Sequence, residues 1–185
     1  MKSSRHLPGT LFLPAIVVTL ALRTAPLAGQ HLNAWHRARS PDRTAGVDYA
    51  KTESGATWIY LKSAAEMPRS FGTLLQDING VDYRDERLRL TGLVKFKNVE
   101  GWGGVWMRVD GPQGPLSFDN IENRPIKDTS DWTWYQVVLD APPSANDIFF
   151  GLWLQGRGEL WLRDLKLRLA DASVPVTTCR PACSH

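Results

Sequence analysis

Residues 101 to 111, GWGGVWMRVDG, place two indoles, a guanidinium and a carboxylate among four glycines. Alternation along a β-strand puts Trp106, Arg108 and Asp110 on one face and the apolar residues between them on the other. Aromatic rings stack on the C–H faces of sugars, while Arg and Asp side chains hydrogen-bond to hydroxyl groups. The stretch therefore predicts one wall of a binding face for a neutral, polyhydroxylated ligand.

A second stretch, IFFGLWLQ, has the same pattern, with Trp153 and Gln155 opposite an apolar set. If the two strands share a sheet, these side chains extend the same face. The connection that follows GWGGVWMRVDG would then supply polar groups at its rim. The candidate ligand-binding residues are Trp106, Arg108, Asp110, Asp119, Asn120, Arg124, Trp153 and Gln155.

A purely structural alternative fits the same residues. Arg108 and Asp110 could form a partly buried ion pair, with the tryptophans packed beneath a covering loop. The block NRPIKDTSDW, residues 123–132, is predicted to be a long loop fixed by its proline and short polar side chains, although Arg124 and Lys127 could contact a ligand. Four further tryptophans are assigned to the core or to loop anchoring: Trp58, Trp132, Trp134 and Trp161.

The sequence offers little for catalysis. Residues 47–171 contain neither His nor Cys, which excludes Ser-His and Cys-His nucleophiles and a His-based metal centre within that segment. A carboxylate pair, as in glycoside hydrolases, remains as an alternative, with Asp110 and Asp119 as candidates. Acidic residues at such positions more often form turns, so we expect neither enzymatic activity nor a cofactor.

The formal net charge of +3 arises from a basic N-terminal segment. Between residues 47 and 171, acidic residues outnumber basic ones by 18 to 15. A domain that binds phosphate backbones is expected to have a basic excess, which argues against nucleic acid as the partner. The predicted partner is a glycan or, as the alternative, a protein of the cell envelope, since exposed Trp and Arg side chains serve either.

Hydrophobic alternation with a period of two predicts strands rather than helices. In RLRLTGLVKF the apolar residues Leu88, Leu90, Val94 and Phe96 alternate mainly with polar ones, and LWLRDLKLRL near the C-terminus repeats the pattern. Turn signals such as Asn79-Gly80 separate about eight short strands. No amphipathic helix is evident, so the sequence predicts an all-β, two-sheet antiparallel β-sandwich of the jelly-roll type.

Four segments follow from these patterns. Residues 1–29, with an apolar run from Leu11 to Leu22, are predicted to be a signal peptide that directs export to the periplasm or the exterior. If uncleaved, this segment would be a membrane anchor. Residues 30–46 are predicted to be a linker, 47–171 the β-sandwich domain and 172–185 a C-terminal tail.

The two cysteines, Cys179 and Cys183, both lie in this tail. In an exported chain they are predicted to form a local disulfide. A free-thiol tail is one alternative, and a metal site with His185 is another, although one C-x3-C and a single His supply too few ligands for a closed zinc site.

The order of FGTLLQDI, RLRLTGLVKFKNVEGWGGVWMRVDG and SFDNIENRPIKDTSDWTWYQVVLDA resembles bacterial galactose-binding-like β-sandwich domains. Such domains occur alone in exported proteins and appended to arabinose-operon-regulator-type transcription factors. The resemblance implies the fold and no particular activity. The last strand, GELWLRDLKL, also looks like that of carbohydrate-binding modules, but Arg163 replaces the first of their two acidic residues, which argues against a structural calcium ion.

Overall fold

The computed structural model describes residues 35–39, 45–51, 57–63 and 71–177. The predicted signal peptide and the predicted Cys179–Cys183 disulfide lie outside these residues, as does His185. Within them, no helix is long and apolar enough to cross a membrane. The described chain contains nine strands and one short 3-10 helix, Val81–Tyr83. The strands are β1 (His36–Arg39), β2 (Ala45–Lys51), β3 (Thr57–Ser63), β4 (Phe71–Asn79), β5 (Glu86–Gly111), β6 (Gly114–Asp119), β7 (Ile126–Ala141), β8 (Asp147–Gln155) and β9 (Gly158–Ala170).

The 26-residue strand β5 belongs to two sheets. Its first half, up to Lys97, pairs with β9 on one side and β7 on the other, and β3 and β2 continue beyond β9. Its second half, from Trp102, pairs with β8 and β6, and β4 and β1 continue beyond β8. We call these sheet A and sheet B. All pairings are antiparallel, so the predicted two-sheet β-sandwich is confirmed.

The bend in β5 lies between Phe96 and Gly103, where the register with β7 shifts repeatedly. Asn98 has a φ of 51°, a left-handed conformation that Asn adopts more readily than most residues. Gly101 approaches β8 so closely that a Cβ atom would lie 2.1 Å from the carbonyl oxygen of Gln155. The NVEGWGG sequence thus lets one strand pass from one sheet to the other.

The core lies between the two sheets and follows the alternation. In sheet A the inward side chains of β5 include Leu88, Leu90 and Val94, all fully buried. In sheet B, Val105, Met107 and Val109 face the interior together with alternate residues of β8. Full burial of one such side chain contributes about 1.5–3 kcal/mol. This repeated burial fixes which face of each strand is turned outward.

A bulge in β9 corrects a break in its hydrophobic pattern. Leu160 and Leu162 point inward, and the next apolar residue, Leu165, comes three positions later instead of two. The register with β5 shifts at this point, and Asp164 takes a φ of 54°. The extra residue restores the phase, so that Leu165 packs against the core again.

Two strands occupy segments for which the sequence predicted irregular structure. β1 lies within the predicted linker and pairs with the edge of β4 through backbone hydrogen bonds, which need no side-chain periodicity. β7 begins at Ile126, inside the predicted NRPIKDTSDW loop. Its first half carries a register shift and a positive φ of 68° at Asp128, and these interruptions hide the alternation.

Candidate functional site

We call the outward face of sheet B the sheet B face. It carries those residues of β5 and β8 that were predicted to bind a ligand. Trp106 lies opposite Gly151, and Arg108 lies opposite Phe149. Trp153 lies opposite Gly104 on the same face. The condition that these two strands share a sheet is therefore met.

Trp106 lies on this face but is almost completely covered, with 5% of its surface exposed. Its indole Nε1 donates a hydrogen bond of 2.8 Å to the Thr73 hydroxyl on β4, and that hydroxyl donates to the carbonyl of Leu152 at 2.9 Å. Since β8 lies between β5 and β4, the indole must cross it, and Gly151 opposite Trp106 leaves the space. The expectation that alternation exposes this indole was wrong.

Three aromatic rings form a stacked row across the face, which we call the aromatic row. Trp153 on β8 stacks on Phe71 of β4, with 3.9 Å between ring centroids and 10° between planes. Trp102 of β5 stacks at 5.7 Å and 18°. All three rings are half-buried. The sequence did not identify Phe71 or Trp102, although Trp102 has the same strand parity as Trp106.

Arg108 and Asp110 form an ion pair on the same face, about 13 Å along β5 from the level of Trp153 and beyond Trp106. Nη2 of Arg108 donates to Oδ2 of Asp110 at 2.8 Å, and Nε lies 2.8 Å from Oδ1. The guanidinium also lies 5.0 Å from the centre of the Phe149 ring. The side chains are 38% and 17% exposed, so the pair remains accessible from solvent.

The three residues predicted at the rim have other contacts. Asp119 is fully buried, accepts a hydrogen bond from the Ile121 amide at 2.8 Å and contacts Nη2 of Arg124 at 2.6 Å. Arg124 also donates to backbone carbonyls of Gln136 and of the C-terminal segment. Asn120 is nearly buried and accepts a hydrogen bond from the Glu122 amide. These side chains fasten the β6–β7 connection rather than face outward as expected.

This connection covers part of the sheet B face through Ile121. The residue is fully buried and has a φ of 54°, a strained conformation for a β-branched side chain. A Cβ atom on Gly104 would lie 2.0 Å from Ile121 Cδ1, so the isoleucine occupies the place of the missing side chain. Part of the structural alternative, a loop above this face, is thus present.

The outward face of sheet A, hereafter the sheet A face, carries the four tryptophans assigned to core or loop anchoring. That assignment was wrong for Trp134, which is 57% exposed, and the other three are half-buried. Trp58 stacks on Trp132 with centroids 6.3 Å apart, and the Arg163 guanidinium lies 4.3 Å from the Trp132 ring centre. Trp161 packs against Tyr60 at 5.1 Å. Alternation explains the placement of Trp161, which lies between the buried Leu160 and Leu162, but not that of Trp132, whose neighbours Asp131 and Thr133 are both exposed.

Charged groups on the sheet A face are partly paired. Glu159 accepts a hydrogen bond from the Tyr60 hydroxyl at 2.8 Å and contacts Lys62 at 3.2 Å. Burial raises the pKa of Glu159, but these two partners lower it more, and the net pKa is below its usual value. The pKa of Asp131 is lowered by the Trp132 backbone amide and by Lys95. No cluster of three or more His, Cys, Asp or Glu residues in the described part of the chain could hold a metal ion.

No protein-family model matches the chain. Over 134 residues, 71% of its length, the chain is 37% identical to the uncharacterized HTH-type transcriptional regulator YbfP of Bacillus subtilis (strain 168). That alignment covers 45% of the regulator, so the chain spans less than half the length of this relative.

Several solved structures share the fold. A proposed sugar-binding protein from Bacteroides thetaiotaomicron matches 74% of this chain and 87% of its own, with a TM-score of 0.52 and 15% identity. A family 16 carbohydrate-binding module matches 69% and 88%, with a TM-score of 0.50 and 16% identity. The described domain has the β-sandwich fold of these structures. The enzymatically active domain of tailspike protein 4 from bacteriophage CBA120 also matches this fold, over 74% of this chain and 19% of its own, with a TM-score of 0.55 and 15% identity.

Proposed function

We propose that this chain is a non-catalytic carbohydrate-binding domain of an exported protein, and that a neutral glycan binds on the sheet B face. One observation carries the proposal. The same outward face presents a row of three stacked aromatic rings and, about 13 Å farther along β5, a guanidinium and a carboxylate held in fixed orientation. Sugar recognition needs both an apolar surface for ring C–H groups and oriented hydrogen-bonding groups for hydroxyls.

The aromatic row supplies the apolar surface. It crosses β5, β8 and β4, so its length is about 10 Å at the usual strand spacing. Trp153 is enclosed between its two neighbours, whereas Trp102 and Phe71 at the ends each keep one ring face that Trp153 does not cover. We therefore assign ring stacking to Trp102 and Phe71, with Trp153 holding both rings upright.

The Arg108–Asp110 pair supplies the hydrogen-bonding groups. Because each side chain already orients the other, little conformational entropy is lost when a hydroxyl binds to either. Gln155 lies on β8 opposite both Trp102 and Phe71 and adds an amide along one side of the row. Trp106 has a positioning role, since its hydrogen bond to Thr73 ties β5 to β4 beneath the ligand.

The same geometry favours binding without turnover. Of the two carboxylates considered for glycoside hydrolysis, Asp119 has no exposed surface and is held by Arg124, so it cannot reach a substrate on either face. The names of two structural neighbours refer to sugar or carbohydrate binding. The tailspike neighbour is named for enzymatic activity, but this fold accounts for 19% of that chain.

The test is a glycan array followed by titration of any neutral glycan that binds. Trp102→Ala and Arg108→Ala should each weaken binding at least several-fold, and added salt should have little effect because no net charge is neutralised. Trp134→Ala on the opposite face is the matched control and should bind normally. Absence of any neutral glycan ligand, or normal binding by Trp102→Ala, would contradict the proposal. Capture of an envelope protein through Trp102 instead would favour the protein-interaction alternative.

Export has its own test. If residues 1–29 form a cleaved signal peptide, mass spectrometry of the periplasmic or secreted protein should find an N-terminus near Gln30. The same spectrum shows whether Cys179 and Cys183 are oxidised. Recovery of only the full-length chain from the cytoplasm would refute export, and a free-thiol mass would refute the disulfide.

A further inference from the structure

The sheet A face is basic, although the domain as a whole is acidic. Residues 47–171 contain 15 basic and 18 acidic residues. The outward side of β3, β5, β7 and β9, however, carries eight cationic side chains and four acidic ones. The cationic residues are Lys62, Arg87, Arg89, Lys95, Lys97, Arg163, Lys166 and Arg168, and the acidic ones are Asp131, Asp140, Glu159 and Asp164. Positive charge is therefore concentrated on one face of an acidic domain.

Four of these cations have no acidic partner within ion-pair distance in the described residues. Lys62, Arg87 and Lys95 contact Glu159, Asp140 and Asp131, respectively, and Arg163 lies 3.7 Å from Asp164. The cations without such a partner are Arg89, Lys97, Lys166 and Arg168.

Three of the four unpaired cations, Arg89, Lys166 and Arg168, are neighbours on adjacent strands. Arg89 of β5 lies directly opposite Arg168 of β9, and Lys166 lies opposite Thr91, one outward position away. Like charges directly opposite each other destabilise a sheet. Two guanidiniums held in this register, with a lysine beside them, therefore favour the binding of an anion.

An exposed aromatic ring lies next to this cluster. Trp134 of β7 lies opposite Leu93, about 7 Å along β5 from Thr91, with Gln136 between it and the cationic residues. Trp134 has the most exposed large hydrophobic side chain in the described part of the chain, at 57%. Its ring can stack on a sugar while the guanidiniums hold a carboxylate one or two strands away.

We propose that the sheet A face is a second ligand-binding site, separate from the sheet B face, and that it takes an acidic polysaccharide bearing uronate carboxylates. The cluster supplies charge for carboxylates, and Trp134 and Gln136 supply contacts for the sugar rings that carry them. Three neighbouring unpaired cations suit carboxylates spaced along a sugar chain. The acidic remainder of the domain repels the denser charge of a nucleic acid.

The probe is polygalacturonate, compared with a neutral galactan and a single-stranded DNA oligonucleotide of similar length. The wild-type protein should bind polygalacturonate with an affinity that falls as salt is raised. Arg89→Gln and Arg168→Gln should each weaken binding several-fold and flatten the salt dependence, and Trp134→Ala should weaken it at unchanged salt dependence. Arg157→Gln, which removes an exposed cation from the β8–β9 turn, is the charge-matched control and should bind normally.

The experiment distinguishes this site from the one proposed on the sheet B face. Trp102→Ala should leave polygalacturonate binding unchanged, and Arg89→Gln should leave neutral glycan binding unchanged, so either site can fail alone. Equal affinity for DNA, or equal losses from Arg157→Gln and Arg89→Gln, would show a general polyanion effect and overturn the proposal. Melting curves of the glutamine variants should be unchanged or slightly raised, since a repulsive pair is removed.

Discussion

Replacing Trp106 by alanine should destabilise the domain strongly without acting on a ligand directly. The indole is buried to within 5% of its surface and donates a hydrogen bond to Thr73 across β8. Buried Trp-to-Ala changes cost about 3–5 kcal/mol, because transfer free energy is lost and a cavity remains. For a domain of this size, that corresponds to a fall in melting temperature of roughly 10–20 °C.

Two further variants separate packing from hydrogen bonding. Trp106→Phe keeps most of the ring volume and loses the N–H donor, so it should cost about 1–2 kcal/mol. Combined with Thr73→Val, it should show a coupling of about 0.5–1.5 kcal/mol in a double-mutant cycle. Trp161→Ala, which truncates a half-buried ring on the opposite sheet, is the control and should cost less than Trp106→Ala.

Thermal and urea unfolding of these purified variants measure the effect, with glycan titration on the same samples. A loss below about 1 kcal/mol for Trp106→Ala would refute the reasoning, since a buried, hydrogen-bonded indole cannot be removed so cheaply. So would full stability combined with lost binding, because that result would place the ring in contact with the ligand.

Three other predictions concern charged groups. Alanine variants of Arg108 and Asp110 should be non-additive in stability, with a coupling of about 0.2–1 kcal/mol for this partly exposed pair, and a double-mutant cycle by urea unfolding checks it. Arg124→Ala should cost about 3–5 kcal/mol in urea unfolding because it leaves the buried carboxylate of Asp119 unpaired, whereas Asp119→Asn keeps an acceptor and should cost less. Asp131 has a lowered pKa, so its contribution is present above its ordinary value of 3.8 and is lost as pH falls through the lower folded value. The melting temperature should therefore fall as pH drops below about 4, less steeply in Asp131→Asn, and a slope unchanged by that substitution would contradict the assignment.

The fold was predictable because burial repeats with a period of two in the sequence itself. Val105, Met107 and Val109 are fully buried, as their alternation indicates, and the two halves of β5 were both recognised as strands. What the sequence did not show is that they form one strand. Only the pairing partners reveal that the chain bends around Asn98 and Gly101 without reversing direction.

The candidate site was predictable only in part. The position of a residue in the alternating pattern of a strand tells which face of the sheet it lies on, but not whether it is exposed. Trp106 and Trp153 lie on the predicted face, and Arg108 contacts Asp110. Whether a ring on that face is open depends on what lies across the neighbouring strands. Gly151 gives Trp106 room to fold down, and Phe71, far away in sequence, encloses Trp153.

The β6–β7 connection shows why the rim residues were misplaced. Its local sequence, DNIENRP, contains the short polar side chains that form turns as readily as they bind ligands. The conformation of this connection depends on Ile121, which takes a positive φ that costs on the order of 1–3 kcal/mol. Burial of its side chain over Gly104 contributes a comparable free energy, and the Asp119–Arg124 contact holds the turn in place. Gly104 precedes the start of β8 by 43 residues but lies directly opposite Trp153, so the isoleucine that fills its side-chain space closes the sheet B face beside that tryptophan.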